Sequence, residues 1–292
     1  MCKKKQTKDY RTDLEKKAEI KYFTMEDGTQ VRILDFNLAK KPSEFIIMLI
    51  PGYLTVFQSW QRVMELLTKK YRVIYFESRE KSSSIIPTRK MERQVTFHKM
   101  AYDIKEVVEQ LGLDNQKYIT LASSTGGNIL TEALSKKWIN PSGAVMVGPA
   151  IEFHVNWLIV FLSAITPNAL IQGIFKPFVK IYISIVYVNK KAEPEQLQKY
   201  IRALEEAHMR KAMPLFRRMY RYKIWDMLPK VETPTLLLGA SLDKMHATKE
   251  CLRVHELIPN SIYVDLGSNK ATHTDPLVDE IGKFEEHLNG GQ

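Results

Sequence analysis

The sequence predicts an α/β protein with a mostly parallel central sheet, flanking helices and an inserted helical cap. Short apolar runs alternate with amphipathic runs along most of the chain, which is typical of βαβ units. Two alternating runs around the Asp27-Gly28 turn add an antiparallel hairpin at the start. The alternation stops between about 151 and 228, where a stretch with a helical pattern separates two predicted strands.

After the hairpin, the predicted strands include continuous apolar runs such as FIIMLI and YRVIYF, as expected for strands that a parallel sheet buries on both faces. In chain order the predicted strands are AEIKYF and TQVRILDF in the hairpin, then FIIMLI (45–50), YRVIYF (71–76), KYITLA (117–122), GAVMVG (143–148), TPTLLLGA (233–240) and SIYVDLG (261–267).

The predicted helices lie in the intervals between these strands. The clearest spans 96–111, where apolar residues recur at helical spacing and Gly112 supplies a C-terminal stop. The others are WQRVMELLTKK, residues 125–136 and the final PLVDEIGKFEEHL. We therefore expect a basic N-terminal arm (1–18), a core built from 19–150 and 229–292, and a helical cap (151–228).

The composition is that of a globular protein. The chain has 292 residues, of which 45% are hydrophobic and 26% are charged, so it can bury a sizeable core. Its two cysteines, Cys2 and Cys251, cannot by themselves form a disulfide framework or a metal cluster. A reducing, cytoplasmic location is therefore expected, and the basic start is not followed by the apolar region of a signal peptide.

The net charge of +10 is concentrated in MCKKKQTKDYR at the start and in MRKAMPLFRRMYRYK at 209–223. No nucleic-acid partner is expected, because zinc-finger spacing, an RNP-type motif and a heptad-linked basic region are all missing from the sequence. Two alternatives stay open for the charge: peripheral contact with an anionic membrane surface, or an ordinary solvated basic surface.

The stretch LASSTGGN (121–128) predicts a nucleophile at Ser124. This serine lies between a predicted strand and a predicted helix, with the small residues Ala122 and Gly126 two positions away on either side. A sharp strand-to-helix turn requires such small neighbours. The helix beginning at Thr125 would also direct its N-terminal amides and dipole towards the serine. The alternative is a capping serine in an ordinary βα loop.

A serine nucleophile needs a base and an acid that orients the base. His273 is the candidate base because it lies in the loop after the last strand, at the carboxyl edge where Ser124 also lies; His246 is the weaker candidate. Asp243, in the loop after TPTLLLGA, is the candidate acid. Open α/β sheets hold their sites at this edge.

With Ser124, Asp243 and His273 in this chain order, the sequence resembles the α/β-hydrolase fold superfamily, and the resemblance covers residues from about 19 to 288. The segment IPGYLTVFQSW resembles the superfamily's His-Gly loop and the tryptophan that follows it, with Pro51-Gly52 where His-Gly is usual.

A second segment, YRVIYFESREKSSS, resembles the superfamily's Asp-x-Arg-Gly-x-Gly-x-Ser stretch. Glu77, Arg79 and Ser84 match this stretch in kind, whereas Glu80 and Ser82 replace its two glycines.

The resemblance implies an oxyanion hole formed by the backbone amides of Tyr53 and Thr125. It also implies hydrolysis of a carboxylic ester through an acyl-enzyme, without a metal or an organic cofactor. Because serine rather than aspartate occupies position 124, the epoxide-hydrolase and dehalogenase branches are disfavoured.

The first part of the cap (155–188) is rich in Ile, Val, Leu and Phe. Prolines, lysines and amides interrupt it before about 20 consecutive apolar residues accumulate, so we expect short lid helices, with membrane insertion as the alternative. His154, Trp157 and Phe161 are expected to contact the substrate.

The expected substrate is an ester with an apolar acyl chain, and the expected enzyme is an esterase of the lipase or lysophospholipase kind. An acyltransferase of the same fold and a catalytically silent binding protein remain as alternatives.

Overall fold

The computed structural model describes residues 11–149, 152–153, 157–167, 170, 202–203, 206–242 and 248–290. Its strands are β1 (Glu19–Thr24), β2 (Gln30–Phe36), β3 (Ile46–Ile50), β4 (Arg72–Glu77), β5 (Tyr118–Ser123), β6 (Gly143–Val147), β7 (Thr235–Gly239) and β8 (Ser261–Asp265).

The helices in the described part of the chain flank these strands in alternation. They are α1 (Gln61–Leu67), α2 (Arg89–Glu92), α3 (Phe97–Leu111), α4 (Thr125–Ser135), α5 (Trp157–Ile165), α6 (Met209–Met219), α7 (Thr248–Leu257) and α8 (Asp275–Gly290). Short 3-10 helices cover Glu15–Lys17, Phe57–Trp60, Leu113–Asn115, Leu228–Lys230 and Ala271–His273.

All eight strands form one sheet in the order β1-β2-β4-β3-β5-β6-β7-β8. β1 and β2 form an antiparallel hairpin, with Glu19 opposite Asp35 and Thr24 opposite Gln30, and β2 also pairs antiparallel with β4. Every other neighbouring pair is parallel. The predicted sheet, mostly parallel and opening with a hairpin, is confirmed.

The core lies in two layers, one on each face of the sheet. In β3, Ile47 and Leu49 point into the layer that includes residues of α1 and α8, whereas Ile46, Met48 and Ile50 point into the layer that includes residues of α3 and α4. All five of these side chains are buried. Burial on both faces explains why the strand is a continuous apolar run rather than an alternating one.

The long helix α3 begins and ends as its sequence predicts. The hydroxyl of Thr96 accepts a hydrogen bond from the amide of Lys99 (3.2 Å), and Gly112 ends the helix with a positive φ of 64°. Only the free rotation of a residue without a Cβ makes this left-handed conformation inexpensive.

Helix α3 also holds the loop that follows β4. The buried carboxylate of Asp103 accepts two hydrogen bonds from the guanidinium of Arg79, one of 2.6 Å from Nε and one from Nη2, and Asp27 accepts a third from Nη1 at 2.8 Å. Burial raises the pKa of Asp103, and the positive charge of Arg79 opposes this effect. The ion pair between Arg79 and Asp103 therefore fixes the start of the loop after β4.

Parts of the segment between β6 and β7, which the sequence predicts to be a helical cap, lie among the described residues. They include α5 and α6, and the extent of a cap domain stays a prediction. No helix within the described ranges is long and apolar enough to cross a membrane. At the other end of the chain, Glu15 is buried and pairs with Arg202 at 3.1 Å, which connects the N-terminal region to this segment.

Candidate active site

Ser124 occupies a sharp turn between β5 and α4. Its backbone has φ 47° and ψ −122°, and its amide donates to the Val147 carbonyl at 3.0 Å. A positive φ at a residue other than glycine is a strained conformation of the kind found at active sites. Ser124 is half-buried, while Ser123 and Thr125 on either side are buried. The turn therefore presents this serine more openly than its neighbours.

Two glycines permit the turn to pack against the loop after β3. A Cβ on Gly126 would lie 2.9 Å from the carbonyl oxygen of Pro51 and still closer to that of Ile50, which is sterically forbidden. A Cβ on Gly52 would lie 3.3 Å from the Ser123 carbonyl and 3.4 Å from the Cβ of Ser124. The loop at Gly52 and the turn at Ser124 are therefore in direct contact.

The amide of Tyr53 lies in this contact region and donates a hydrogen bond to the side-chain hydroxyl of Thr125. The amide of Thr125 is in the first turn of α4, where backbone N–H groups have no partner within the helix. The two predicted oxyanion donors are thus close together. To accept the Tyr53 N–H, an oxyanion would have to replace the Thr125 hydroxyl as the acceptor. The sequence did not predict this hydrogen bond between Tyr53 and Thr125.

The loop carrying Tyr53 has a strained backbone and is hydrogen-bonded to α6. Leu54 has a φ of 54°, and the phenol of Tyr53 donates to the carbonyl of Ala212 in α6 at 3.0 Å. Burial raises the pKa of this phenol, and the nearby charge of Glu80 adds to the effect. Tyr53 therefore remains a neutral donor that joins the loop to α6.

Lys81 also holds this loop in place, a role that the sequence analysis did not predict. Its ammonium donates to the carbonyls of Gly52 (2.8 Å) and Thr55 (3.0 Å), on either side of the Tyr53 amide. It also lies 3.3 Å from a carboxylate oxygen of Glu80, which is fully buried. The sequence did contain a signal for this role, because it places a lysine in the loop after β4, at the carboxyl edge of the sheet.

A second lysine, Lys211 of α6, is buried and donates to several acceptors in the loop after β4. The acceptors include the carbonyls of Lys81 (3.2 Å) and Ser84 (2.5 Å) and the hydroxyl of Ser84 (3.1 Å). Burial lowers the pKa of this ammonium, and the charges of Glu92 and Glu80 oppose the shift. Helix α6 is thereby fixed to the loop after β4 through Lys211 and to the loop after β3 through Tyr53.

Glu80 and Ser82, which replace the superfamily's two glycines, occupy positions that do not require glycine. Within the described ranges, the residues other than glycine with positive φ are Leu54, Ser124 and Lys137, so Glu80 and Ser82 have ordinary backbone conformations. The departure from the usual motif therefore does not distort this loop.

His273 follows β8 but reaches back across the sheet towards the β3 side. Its ring packs on the buried indole of Trp60, with 4.8 Å between the ring centroids. Two residues later, Asp275 accepts hydrogen bonds of 3.0 and 2.6 Å from the guanidinium of Arg62 in α1. Because β8 is three strands away from β5, these contacts explain how the loop approaches the side of the sheet where Ser124 lies.

The ring nitrogen Nδ1 of His273 lies 3.0 Å from the Asn269 carbonyl and 3.0 Å from the Thr272 hydroxyl. Because a carbonyl can only accept, the first contact is a hydrogen bond when Nδ1 carries the proton. In the neutral ring this leaves Nε2 as the basic nitrogen, which is the form that a general base requires.

The remaining predicted site residues either lie outside the described ranges or are exposed on α5. Asp243 and His154 lie outside the described residues, as does the weaker candidate base His246. Trp157 and Phe161 lie on α5 with exposed side chains. Asp265, at the end of β8, accepts hydrogen bonds from the amides of Ser241 and Gly267, both at 2.9 Å, which join Ser241 to the end of β8.

The sheet, the turn at Ser124 and the loops around it define an α/β-hydrolase. A family model described as "Serine aminopeptidase, S33" matches residues 42–263, and the chain belongs to this family of hydrolases. The chain is also 23% identical over 274 residues to the uncharacterized hydrolase YugF of Bacillus subtilis (strain 168), covering 87% of this chain and 92% of that protein.

Solved structures show the same fold. A thermophilic esterase from Thermogutta terrifontis superposes with a TM-score of 0.72 at 18% identity, covering 93% of this chain and 99% of the esterase. The enol-lactonase from Burkholderia xenovorans LB400 gives a TM-score of 0.70 at 14% identity, covering 92% of this chain and 99% of the lactonase.

Proposed function

We propose that this hydrolase cleaves carboxylic esters with an apolar acyl chain, using Ser124 as the nucleophile of an acyl-enzyme mechanism. The observation that carries the proposal is the strained, half-buried Ser124 at the start of α4, packed against the loop that holds the Tyr53 amide. Two of the structural relatives are named as an esterase and a lactonase, and a lactone is a cyclic ester.

In the proposed reaction, Nε2 of His273 takes the proton of the Ser124 hydroxyl as Oγ attacks the acyl carbon. The amides of Tyr53 and Thr125 stabilise the oxyanion of the tetrahedral intermediate. His273 then gives the proton to the departing alcohol oxygen, which leaves an acyl-enzyme. Water, deprotonated by the same histidine, releases the acid and restores Ser124. Asp243 is the proposed partner that orients His273, and its carboxylate would accept the Nδ1–H in place of the Asn269 carbonyl.

The apolar acyl chain is proposed from the chain around α5, where large apolar side chains predominate. Each buried methylene contributes about 0.8 kcal/mol, which corresponds to an increase of up to about fourfold in kcat/KM per carbon. We therefore expect kcat/KM for p-nitrophenyl esters to rise from acetate to octanoate, measured below the concentration at which the esters form micelles.

Two results would contradict this proposal in different ways. Preference for acetate or butyrate would argue against the apolar substrate but leave ester hydrolysis intact. Faster turnover of an amino-acid p-nitroanilide than of every ester would instead indicate peptidase activity, in keeping with the serine aminopeptidases after which the family is named.

Replacing Lys81 with methionine is expected to lower kcat for a p-nitrophenyl ester about tenfold or more, with a smaller change in KM. The substitution removes the two hydrogen bonds that hold the carbonyls of Gly52 and Thr55 and so loosens the loop that presents the Tyr53 amide. Losing one oxyanion donor completely costs about 10² to 10³ in kcat, and a displaced donor should cost less.

Lys81→Arg is the matched control, because arginine keeps a cation and several donors and should restore part of the lost kcat. Equal values of kcat for wild type and Lys81→Met, at equal thermal midpoints, would show that Lys81 does not position this loop.

A further inference from the structure

Helix α5 exposes more apolar surface than a helix on a globular protein normally does. Although the helix has nine residues, six large apolar side chains are between 47% and 70% exposed: Trp157, Leu158, Ile159, Phe161, Leu162 and Ile165. A helix that only packs on a core presents one apolar stripe to it and polar residues to water. A continuous exposed apolar surface marks an interaction site.

A strongly cationic segment lies against this helix. Residues 209–223, which include α6, carry six lysines and arginines and no aspartate or glutamate. Arg217 of α6 donates a hydrogen bond to the Ser163 carbonyl of α5. Before α5 begins, Glu152 pairs with Lys223 at 2.6 Å. The apolar helix and the cationic segment are thus in direct contact.

Several cations of this segment face the solvent. Arg210, Arg218 and Arg221 are exposed, whereas Lys211 is buried and donates to the loop after β4. Exposed positive charge and large exposed apolar side chains therefore lie on two segments that contact each other through Arg217 and Ser163. This is the combination that binds the interface of an anionic bilayer.

We propose that α5 and residues 209–223 form a docking surface for an anionic lipid bilayer. The apolar side chains of α5 enter the boundary between headgroups and acyl chains, and the arginines contact the anionic headgroups. Because nine helical residues extend about 14 Å and the hydrocarbon core is about 30 Å thick, the helix lies in the interface and does not cross it.

The charge favours a bilayer over a second copy of this chain as the partner. Two copies meeting through this surface would bring together two segments of the same positive sign, which is unfavourable. An anionic bilayer offers both an apolar layer and the complementary charge. The proposal does not depend on ester hydrolysis, because the surface contains no residue that is proposed to take part in the chemical steps. It shares α5 with the proposed preference for an apolar acyl chain.

Vesicle sedimentation tests the proposal directly, using full-length protein with the Ser124→Ala substitution so that no lipid is cleaved. We expect strong binding to vesicles of phosphatidylcholine with phosphatidylglycerol and at least about tenfold weaker binding to phosphatidylcholine alone. High salt should weaken the binding to anionic vesicles, because it screens the charges. Trp157 fluorescence should shift to shorter wavelength on binding, and Trp157→Phe should abolish most of that shift.

Two sets of variants separate the apolar and the cationic contributions. Leu158→Gln, Leu162→Gln and Ile165→Gln together should lower the vesicle partition coefficient at least tenfold, by roughly the loss expected for several buried aliphatic side chains. Arg218→Gln with Arg221→Gln should lower it about fivefold per charge on anionic vesicles only. Ile20→Gln with Leu252→Gln, at exposed apolar positions on β1 and α7, is the matched control and should bind as wild type does.

The proposal is overturned if wild type does not bind anionic vesicles, or if the α5 variants bind as well as the control while remaining folded. It is also overturned if the wild type forms a dimer in ultracentrifugation that the α5 variants disperse, because the surface would then be an interface between copies of the chain. Loss of esterase activity without loss of vesicle binding would contradict the proposed function and leave this proposal standing.

Discussion

Replacing Ser124 with alanine is expected to lower kcat/KM for p-nitrophenyl esters by at least about 10⁴-fold. The substitution removes the oxygen that forms the acyl-enzyme, and only the residual catalysis from the oxyanion donors and substrate binding would remain. The fold should be unaffected, because alanine keeps a Cβ at this position and is under the same strain as serine at a φ of 47°. Initial rates and labelling by a fluorophosphonate probe measure the effect.

Ser123→Ala is the matched control for this experiment. Ser123 is the adjacent residue and also a serine, but it is the last residue of β5 and is buried. The control should keep both probe labelling and most of the esterase activity. Equal labelling of Ser124→Ala and wild type would show that the nucleophile is another residue, and the proposed mechanism would then be wrong.

Strands β3 to β7 were predictable because each is a short apolar run that the sheet buries on both faces. The hairpin strands β1 and β2 were predictable from their alternating pattern around the Asp27-Gly28 turn. The predicted helix over 96–111 forms as α3 (Phe97–Leu111), and the helix predicted over 125–136 forms as α4 (Thr125–Ser135). These elements depend on local periodicity and on local stop signals such as Gly112. The order of the strands in the sheet depends instead on long-range pairing and was not predicted.

The sharp turn at Ser124 was also predictable, because its signal is local. Small residues flank Ser124, and the structure explains one of them: a Cβ on Gly126 would collide with the carbonyl of Ile50. By contrast, the contacts of Lys81 with the carbonyls of Gly52 and Thr55 join two loops that are distant in sequence. Such contacts depend on how both loops turn after leaving the sheet, which no single segment encodes.

The approach of His273 illustrates the same distinction. Its place after the last strand follows from the sequence, and the structure has His273 in the segment after β8. The stacking on Trp60 and the ion pair between Arg62 and Asp275 bring the loop across from β8, and they involve residues about 200 positions apart. The triad assignment to Asp243, which lies outside the described residues, stays a prediction.

Replacing Gly126 with alanine is expected to lower kcat/KM for ester substrates about 100-fold or more and to lower the thermal midpoint. The new methyl group would lie 2.9 Å from the Pro51 carbonyl oxygen and closer still to that of Ile50. Both acceptors are backbone atoms and cannot move aside without displacing the loop that carries the Tyr53 amide. A displacement of about 1 Å in a catalytic group can cost about 10²-fold in rate, and overpacking typically costs about 1 to 3 kcal/mol in stability.

Gly127→Ala adds the same methyl group one residue further along α4 and isolates the cause. There the nearest atom would be the Cβ of Pro149 at 3.8 Å, an ordinary van der Waals contact. Because alanine is favoured over glycine within a helix by about 0.5 to 1 kcal/mol, this variant should be at least as stable as wild type and should keep its activity. If both variants kept full activity, the contact between the turn and the Tyr53 loop would not matter for catalysis.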